Sequence, residues 1–542
     1  MSKCPNCGGE LDFDVKAKNV VCPYCGTNFN PKELKTQTKH AKETESFEGK
    51  SYNCASCGAQ ILVFDDTAVT FCSYCGSQSM IESKMVKVNN PDYVIPFMKT
   101  KEECIAEYKK MLRKALFVPK YMKEDLAIQK FRGIFMPYGI YKTSLHGKCS
   151  NHGEKYSHRS GDYVYYDEYD ITAQVDADYD GISYDLISKY YDNYSTSIPF
   201  DYNGIEEFNK NYLTGFYADS KDVDASVYNS YAEDISTADT SNHLSKRREF
   251  RKYGCKSPKA KMHVHDIKTG MFPVYFLGVK DKQNKMHYAV INGQTGKVAA
   301  DLPIDFAKFI IGTIILSVLV FALLYFAAVI LPKTVLSFSM ISAVVSIIIS
   351  INQQKKIYNR EYHFDDVGFM HKNVEKIEKE EQIQVVAKKE KRGKSVLLGM
   401  LMIWGGMVFG LPLLASILFT LLPEGPLTIL LFTVGIVFLI VGTVKSMNGG
   451  SKSSKNQVDI YKDGKKVKKY KFKDISKQVI ALIAGALVLV SGTIRDEIYY
   501  GAAIVIFVLI ILSFKDLIDE HNILTSNKPP QLEKRGGDEI GK

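Results

Sequence analysis

Along this chain the hydrophobic pattern changes character near residue 305. Before that point apolar and polar residues alternate over short stretches, as in Leu11-Asp12-Phe13-Asp14-Val15, or form runs broken by Gly and Pro. This texture predicts strands, hairpins and short helices. After it come six uncharged apolar runs, at 309–331, 335–351, 396–422, 427–444, 478–494 and 498–514. They are near the length a helix needs to cross bilayer hydrocarbon, where every backbone polar group must be satisfied internally. Buried core helices and re-entrant hairpins are the competing reading. Pro332, Pro423-Glu424-Gly425-Pro426 and Arg495-Asp496-Glu497 leave only tight connections within successive pairs. The runs therefore predict three helical hairpins, 306–352, 396–444 and 478–514.

Charge orients them. The segments 353–395 and 445–477 each carry eleven Lys or Arg, whereas the connectors inside the hairpins carry only Lys333 and Arg495. Positive loops stay inside. The expected topology has the N-terminal region, the charged loop 353–395, the Lys-rich loop 445–477 and the tail 515–542 in the cytoplasm of a multi-pass membrane protein. Membrane lipids are then expected partners, and the lysines of 451–474 could attract anionic headgroups or simply enforce the topology.

The cysteines add chemistry. Cys4, Cys7, Cys22 and Cys25 read C-x2-C, fourteen residues, C-x2-C, and Cys54, Cys57, Cys72 and Cys75 repeat it. Each set is expected to hold one tetrahedral Zn2+, two structural ions in all, in β zinc ribbons at 1–30 and 51–85 joined by a linker at 31–50. Units this small bury too little surface to fold alone, so metal does the folding and the linker lets them reach outward. Disulfides are the competing reading. No signal peptide precedes these cysteines, and intracellular thiols stay reduced.

Between ribbons and membrane, residues 90–305 predict a soluble α+β region. "YVIPF" (93–97) and "TSIPF" (196–200) each precede a helical stretch and a Pro-bearing strand, "GIFMPYGIY" (133–141) and "GMFPVYFLGV" (270–279), which suggests an internal duplication. Pro in these strands predicts edges or strand starts. Residues 161–235 hold seventeen Asp or Glu against three Lys, an acidic, Tyr-rich surface suited to basic protein segments. "DADYDG" (Asp176, Asp178, Asp180, Gly181) begins like a calcium loop, but Ile187 stands where its bidentate Glu belongs. His146, Cys149, His152 and His158 could share a metal in one loop, as could His263 and His265 on one strand face. No nucleophile elbow, Walker loop, dinucleotide fingerprint or zincin helix occurs, so no enzyme is expected and no catalytic residue is assigned.

The first ribbon balances three Lys against three acids and the second sets one Lys against three, too little charge to neutralise phosphates. Nucleic acid is therefore disfavoured as a partner, and cytoplasmic or membrane-associated proteins are favoured. Because the spans contain no internal charged residue, an anchor is preferred over a transporter or channel subunit.

The opening ribbon, "MPYGIY" (136–141), "LTGFYADSKDVDA" (213–225), "INGQTGKVAADLPID" (291–305) and the tail "HNILTSNKPPQLEKRGGDE" (521–539) resemble a Gram-positive bacterial family of TFIIB-type zinc ribbon-containing membrane proteins. The label concerns the ribbon and does not imply transcription. The resemblance implies ribbons and a soluble region ahead of a helical membrane part, and for some members an association with membrane-stress proteins of the phage-shock and flotillin type. The second ribbon, and Pro137-Tyr138-Gly139 where the family carries a Trp-bearing strand, are departures. The expectation is thus a multidomain membrane protein of two ribbons, an α+β region and about six transmembrane helices, acting as a protein-binding scaffold.

Overall fold

The computed structural model describes residues 3–34, 46–55, 60–63, 71, 72, 74, 77, 78, 80–124, 133–245, 262–281, 285–327, 331–380, 383–387, 458–462, 465–466, 472–491 and 495–526. The expected second hairpin, 396–444, and the tail from 527 lie outside them.

Three short antiparallel strands, β1 (Asp12–Asp14), β2 (Asn19–Val21) and β3 (Asn28–Phe29), surround the first cysteine set. One large sheet organises the rest of the soluble part. The second cysteine set contributes β4 (Ser46–Cys54), β5 (Gln60–Val63) and β6 (Met80–Asn89). The following region contributes β7 (Tyr93–Val94), β8 (Gly133–Ser160), β9 (Tyr163–Asp185), β10 (Glu206–Glu207), β11 (Tyr217–Ala218), β12 (His263–Lys280), β13 (Met286–Asn292) and β14 (Val298–Ala300). Their order is β10-β7-β12-β8-β11-β5-β4-β6, with β9 added to β8, and β13 and then β14 added to β12. Helices α1 (Lys101–Lys114), α2 (Asp192–Ser197) and α3 (Asn229–Ser245) complete this part. Thr100 and Glu103 form a capping box that starts α1, and Cys104, Tyr108 and Leu112, four residues apart, give it a buried face.

At the centre β8 and β12 run antiparallel with Met136 opposite Phe272. A pseudo-two-fold relation passes through this pair. Parallel β11 joins β8 at Ile134 and Phe135 as parallel β7 joins β12 at Gly270 and Met271. Antiparallel β9 then joins β8 from Tyr138 as β13 joins β12 from Val274. The repeated unit is strand, helix, hairpin: β7-α1-β8-β9 and β11-α3-β12-β13. Tyr93 therefore corresponds to Tyr217, not to the "TSIPF" segment that the sequence pairs with "YVIPF".

The same arrangement corrects the expectation for proline. Pro137 and Pro273 sit in the two most central strands. On one flank of β8 the partner changes at Pro137: the Asp219 N–H reaches Phe135 O, and the Leu186 N–H reaches Pro137 O. On β12 the change falls at Pro273, between Ile95 N–H to Met271 O and Gly293 N–H to Pro273 O. A residue at that position would point its N–H into the gap between two partner strands, so proline removes a donor the ladder does not use.

Alternate residues of β12 feed opposite cores. Met271, Tyr275, Leu277 and Val279 face α1 and the first ribbon, while Phe272, Val274 and Phe276 face the second ribbon and the segment after β9. Neither ribbon reaches outward. The 31–50 linker ends inside β4, which begins at Ser46, and β5 pairs with β11 through Leu62 and Ala218.

Beyond β14 follow α4 (Phe306–Ala327), α5 (Pro332–Glu361), α6 (Val367–Glu380), β15 (Ile383–Ala387), β16 (Val458–Lys462), β17 (Lys465–Lys466), α7 (Phe472–Val490) and α8 (Asp496–Leu524). Only α5 and α8 are long and apolar enough to cross a membrane among the described residues; α4 and α7 contain shorter apolar stretches, Phe306–Val320 and Ile475–Val490. Among the described residues two candidate spans thus stand where six apolar runs are read, two of those runs being outside them. The 353–395 segment is not a plain loop, because it holds the end of α5, all of α6, and β15, which pairs with β16. Nor does the tail start at 515: α8 continues to Leu524, and Leu524, Thr525 and Ser526 are buried.

Asn292, fully buried at the start of the β13–β14 turn, donates to Ile198 O and Pro199 O and accepts from the N–H groups of Gln294 and Thr295. Asn292→Ala should cost about 3 kcal/mol by orphaning those groups, read as a lower midpoint of thermal unfolding.

Candidate metal centre

The first cysteine set converges. Cys4 and Cys22 are buried, Cys7 and Cys25 exposed, and the four sulfurs lie within 4.8 Å of one another. The Cys4–Cys25 and Cys7–Cys22 sulfurs are 3.6 and 3.5 Å apart. A tetrahedral zinc with bonds of about 2.3 Å would set sulfurs roughly 3.8 Å apart, so the set fits Zn2+. Two equivalent turns hold it. The Cys4 N–H donates to Gly9 O and the Gly8 N–H to Cys4 O, as the Cys22 N–H donates to Thr27 O and the Gly26 N–H to Cys22 O. Gly8 and Gly26 occupy the left-handed region at φ +75 and +72, which glycine adopts without strain.

Electrostatics favour a cation here. The Thr27 hydroxyl and backbone N–H hold the Cys25 thiol down at about 6. At Cys7 the Gly9 N–H pulls down, but neighbouring sulfurs, Cys22 first, push the thiol up to about 12. Four thiolates cannot share this volume unless a cation neutralises them.

The ribbon is docked on the α+β region. Asn209 and Asn211 donate to Pro31 O, Asn211 also to Leu34 O, and the Phe13 N–H donates to Thr214 O. The Phe13 and Tyr212 rings meet edge to face at 5.6 Å, and Lys32 pairs with Glu206 at 2.6 Å. These partners lie far along the chain, and no local pattern announces them.

In the second set Cys54 and Cys72 are both buried in one cluster with Ile61, Val63 and Tyr74; Cys57 and Cys75 lie outside the described residues. Cys72 repeats the ribbon turn, its N–H donating to Ser77 O at 2.7 Å. Tyr74 ties this ribbon to the sheet, donating to Asp219 at 2.7 Å. Burial raises the Asp219 carboxyl to about 7, although the Tyr74 hydrogen bond pulls the other way.

The other candidates are not assembled among the described residues. Residues 146–158 run along β8 and are not a loop, and His146 contacts Asp176 across the hairpin at 3.1 Å, while the side chains of Cys149 and His152 lie outside the described residues. "DADYDG" is part of β9, where Asp180 pairs with Lys142 at 2.9 Å. A bulge at His265 breaks the alternation that would align it with His263. Among the described residues only the first cysteine set forms a group able to hold a metal.

With this geometry in place, comparison gives one informative likeness. The chain is 27% identical over 319 residues, 56% of its length and 91% of the other's, to a Bacillus subtilis (strain 168) protein described as "Uncharacterized protein YdjG". No family model matches the chain, and no solved structure does. The Bacillus relative supports a shared architecture over most of its own length, and its description assigns no activity.

Replacing Cys7 and Cys25 by Ser should remove one equivalent of zinc, measured by elemental analysis, and open residues 4–34 to protease. The folded state holds the Asp219 proton more tightly than the unfolded chain does, so this site's contribution to stability falls as pH rises from about 4 to about 7 and is level above. Thermal unfolding should therefore show Asp219→Asn gaining on the parent protein between about pH 5 and about pH 8.

Proposed function

We propose that this chain is a multi-pass membrane protein whose zinc ribbons and sheet form a protein-binding scaffold on the cytoplasmic face, with both termini on that face. The observation that carries it is that the N-terminal end of α4 and the C-terminal ends of α5 and α8 are all fastened to the soluble part. Asp305 caps α4 through the N–H groups of Ala307 and Lys308, and Asn522, at the end of α8, clamps Ile304 by both its N–H and its C=O. Arg360, at the end of α5, pairs with Asp301 at 2.6 Å and lies over the Tyr191 ring. His287, buried and held below its ordinary pKa by desolvation, meets Thr525 O at 3.1 Å. Lys477, near the start of α7, pairs with Asp516 of α8, which brings α7 to the same end. Helices that leave and return to one side form hairpins.

The β15–β16 pairing supports an even number of crossings between residues 387 and 458, which is the second expected hairpin. Outward on these helices lie large apolar side chains, among them Leu316, Phe338, Leu487, Ile504 and Phe507, suited to lipid. For the scaffold role the supporting feature is Tyr24, 74% exposed on the outward knuckle of the first ribbon, an aromatic anchor of the kind enriched at protein interfaces. By the family resemblance, membrane-stress proteins of the phage-shock and flotillin type are the first partners to seek. A second zinc at Cys54, Cys57, Cys72 and Cys75 belongs to the same reading, supported by the repeated Cys72 turn.

Protease added to intact spheroplasts should spare 383–387 and 458–462 while reporter fusions at 331–333 and 495 are accessible; cleavage of β15 or β16 from outside would overturn the topology. Proteins retained by the full chain from native membranes should be lost on Cys54→Ser and on Tyr24→Ala. Steeply salt-dependent binding of DNA or RNA would instead favour a membrane-tethered nucleic-acid binder.

A further inference from the structure

The three helices α5, α7 and α8 enclose a layer that an inert anchor does not need. Where they are tightest, a side-chain carbon added at Gly485 of α7 would meet Met340 of α5 at 2.8 Å and Ile506 of α8 at 3.0 Å. About two turns nearer the soluble part, on antiparallel α7 and α8, stand Gln478 and Ser513, at the level tied by Lys477 and Asp516. Ser346, Ser350 and Gln354 line one face of α5 at four-residue spacing, and Gln478 Nε2 donates to Ser350 Oγ at 3.1 Å.

All five side chains are more than nine-tenths buried. Four of their oxygens have no hydrogen-bond partner: Ser346 Oγ, Gln354 Oε1, Gln478 Oε1 and Ser513 Oγ. Serine in an apolar helix ordinarily hands its proton to a carbonyl of the preceding turn, as Ser337 does to Lys333 O, Ser339 to Leu336 O and Ser342 to Phe338 O on the same helix. Ser346 and Ser513 do not. The two glutamine oxygens are acceptors only and require a donor.

Leaving several buried oxygens unpaired costs more than holding water against them, and none of the five residues carries a charge to favour an ion over a neutral donor. We infer that Ser346, Ser350, Gln354, Gln478 and Ser513 form a water-binding site inside the helix bundle, filled from its cytoplasmic end. The ligand class is a small neutral hydrogen-bond donor. The inference rests on the membrane reading of these helices and adds to the anchor a hydrated site part-way into it.

The test uses the full chain in lipid nanodiscs, a water-soluble maleimide, and peptide mass spectrometry so that native cysteines do not interfere. Maleimide reacts with thiolate, which needs water, so Ser346→Cys and Ser513→Cys should be modified at least about tenfold faster than Ala343→Cys and Ile506→Cys at the tight level. Equal, slow labelling at all four positions would overturn the inference. Rapid labelling of lipid-facing Ile504→Cys as well would overturn the membrane reading, and the inference with it. Hydroxyl-radical footprinting of the unsubstituted protein guards against misfolded variants: Ile351 and Ile510, which flank the layer, should oxidise more than Leu336, and equal protection of all three would overturn the inference.

Discussion

The antiparallel ladder between β8 and β12 is the constraint on which the rest of the molecule depends. It is the seam of the pseudo-two-fold relation, and everything else attaches to one side or face of it. The second ribbon reaches it through β11 and β5, the first covers one of its faces with α1, and the apolar helices follow from β13 and β14 beyond its other end. Because side chains alternate across a strand, one residue of slip would exchange the two cores and carry both ribbons with them. Register is specified here by burial on both faces and by two partner changes on the flanks, each marked by a proline.

That ladder also bears on what a metal ion at the four cysteines would do. A free ribbon of about thirty residues owes nearly all its stability to metal, since it buries too little surface of its own. Here the first ribbon adds Cys4, Leu11, Phe13, Val20 and Cys22 to a core shared with α1 and β12. If the four cysteines hold a metal ion, metal binding and domain packing are one equilibrium: the ion would shape the surface that docks, and docking holds the ligands in place. The ribbons act as stiffened walls of the sheet domain more than as arms on a tether, and a partner would meet them together with that domain.

What could be read in the sequence divides along the range of the interactions involved. The thiolate spacing is local, four residues in two knuckles, and the structure gathers Cys4, Cys7, Cys22 and Cys25 accordingly. Apolar runs are likewise local, and four of them coincide with helices, although among the described residues length and composition qualify only α5 and α8 as candidate spans. Proline misled, because the rule that excludes it from central strands presumes one continuous partner on each flank. The histidine cluster misled because closeness in sequence is distance in a strand: at about 3.3 Å per residue, His146 and His158 are separated along β8 even though they read as one loop. Docking contacts such as Asn211 to Pro31 had no signal at all, since nothing in either segment refers to the other.

The helical part follows the opposite economy from the sheet. In water, apolar burial drives assembly and polar groups are satisfied by solvent; in lipid, apolar contact between helices gains little, and packing and polar pairing decide how they meet. The contact of Gly485 with Met340 and Ile506 and the Gln478–Ser350 hydrogen bond are those two kinds of tie, placed about two turns apart. Lys477–Asp516, Arg360–Asp301 and Asn522–Ile304 then carry the bundle into the sheet domain with charges and amides where water is available to share them. Polarity thus rises from the tight level to a layer of amides and hydroxyls edged by the Lys477–Asp516 pair, and then to the junction with the sheet domain. Such a gradient fits the proposed membrane reading, in which lipid would hold one end of these helices and the sheet domain the other.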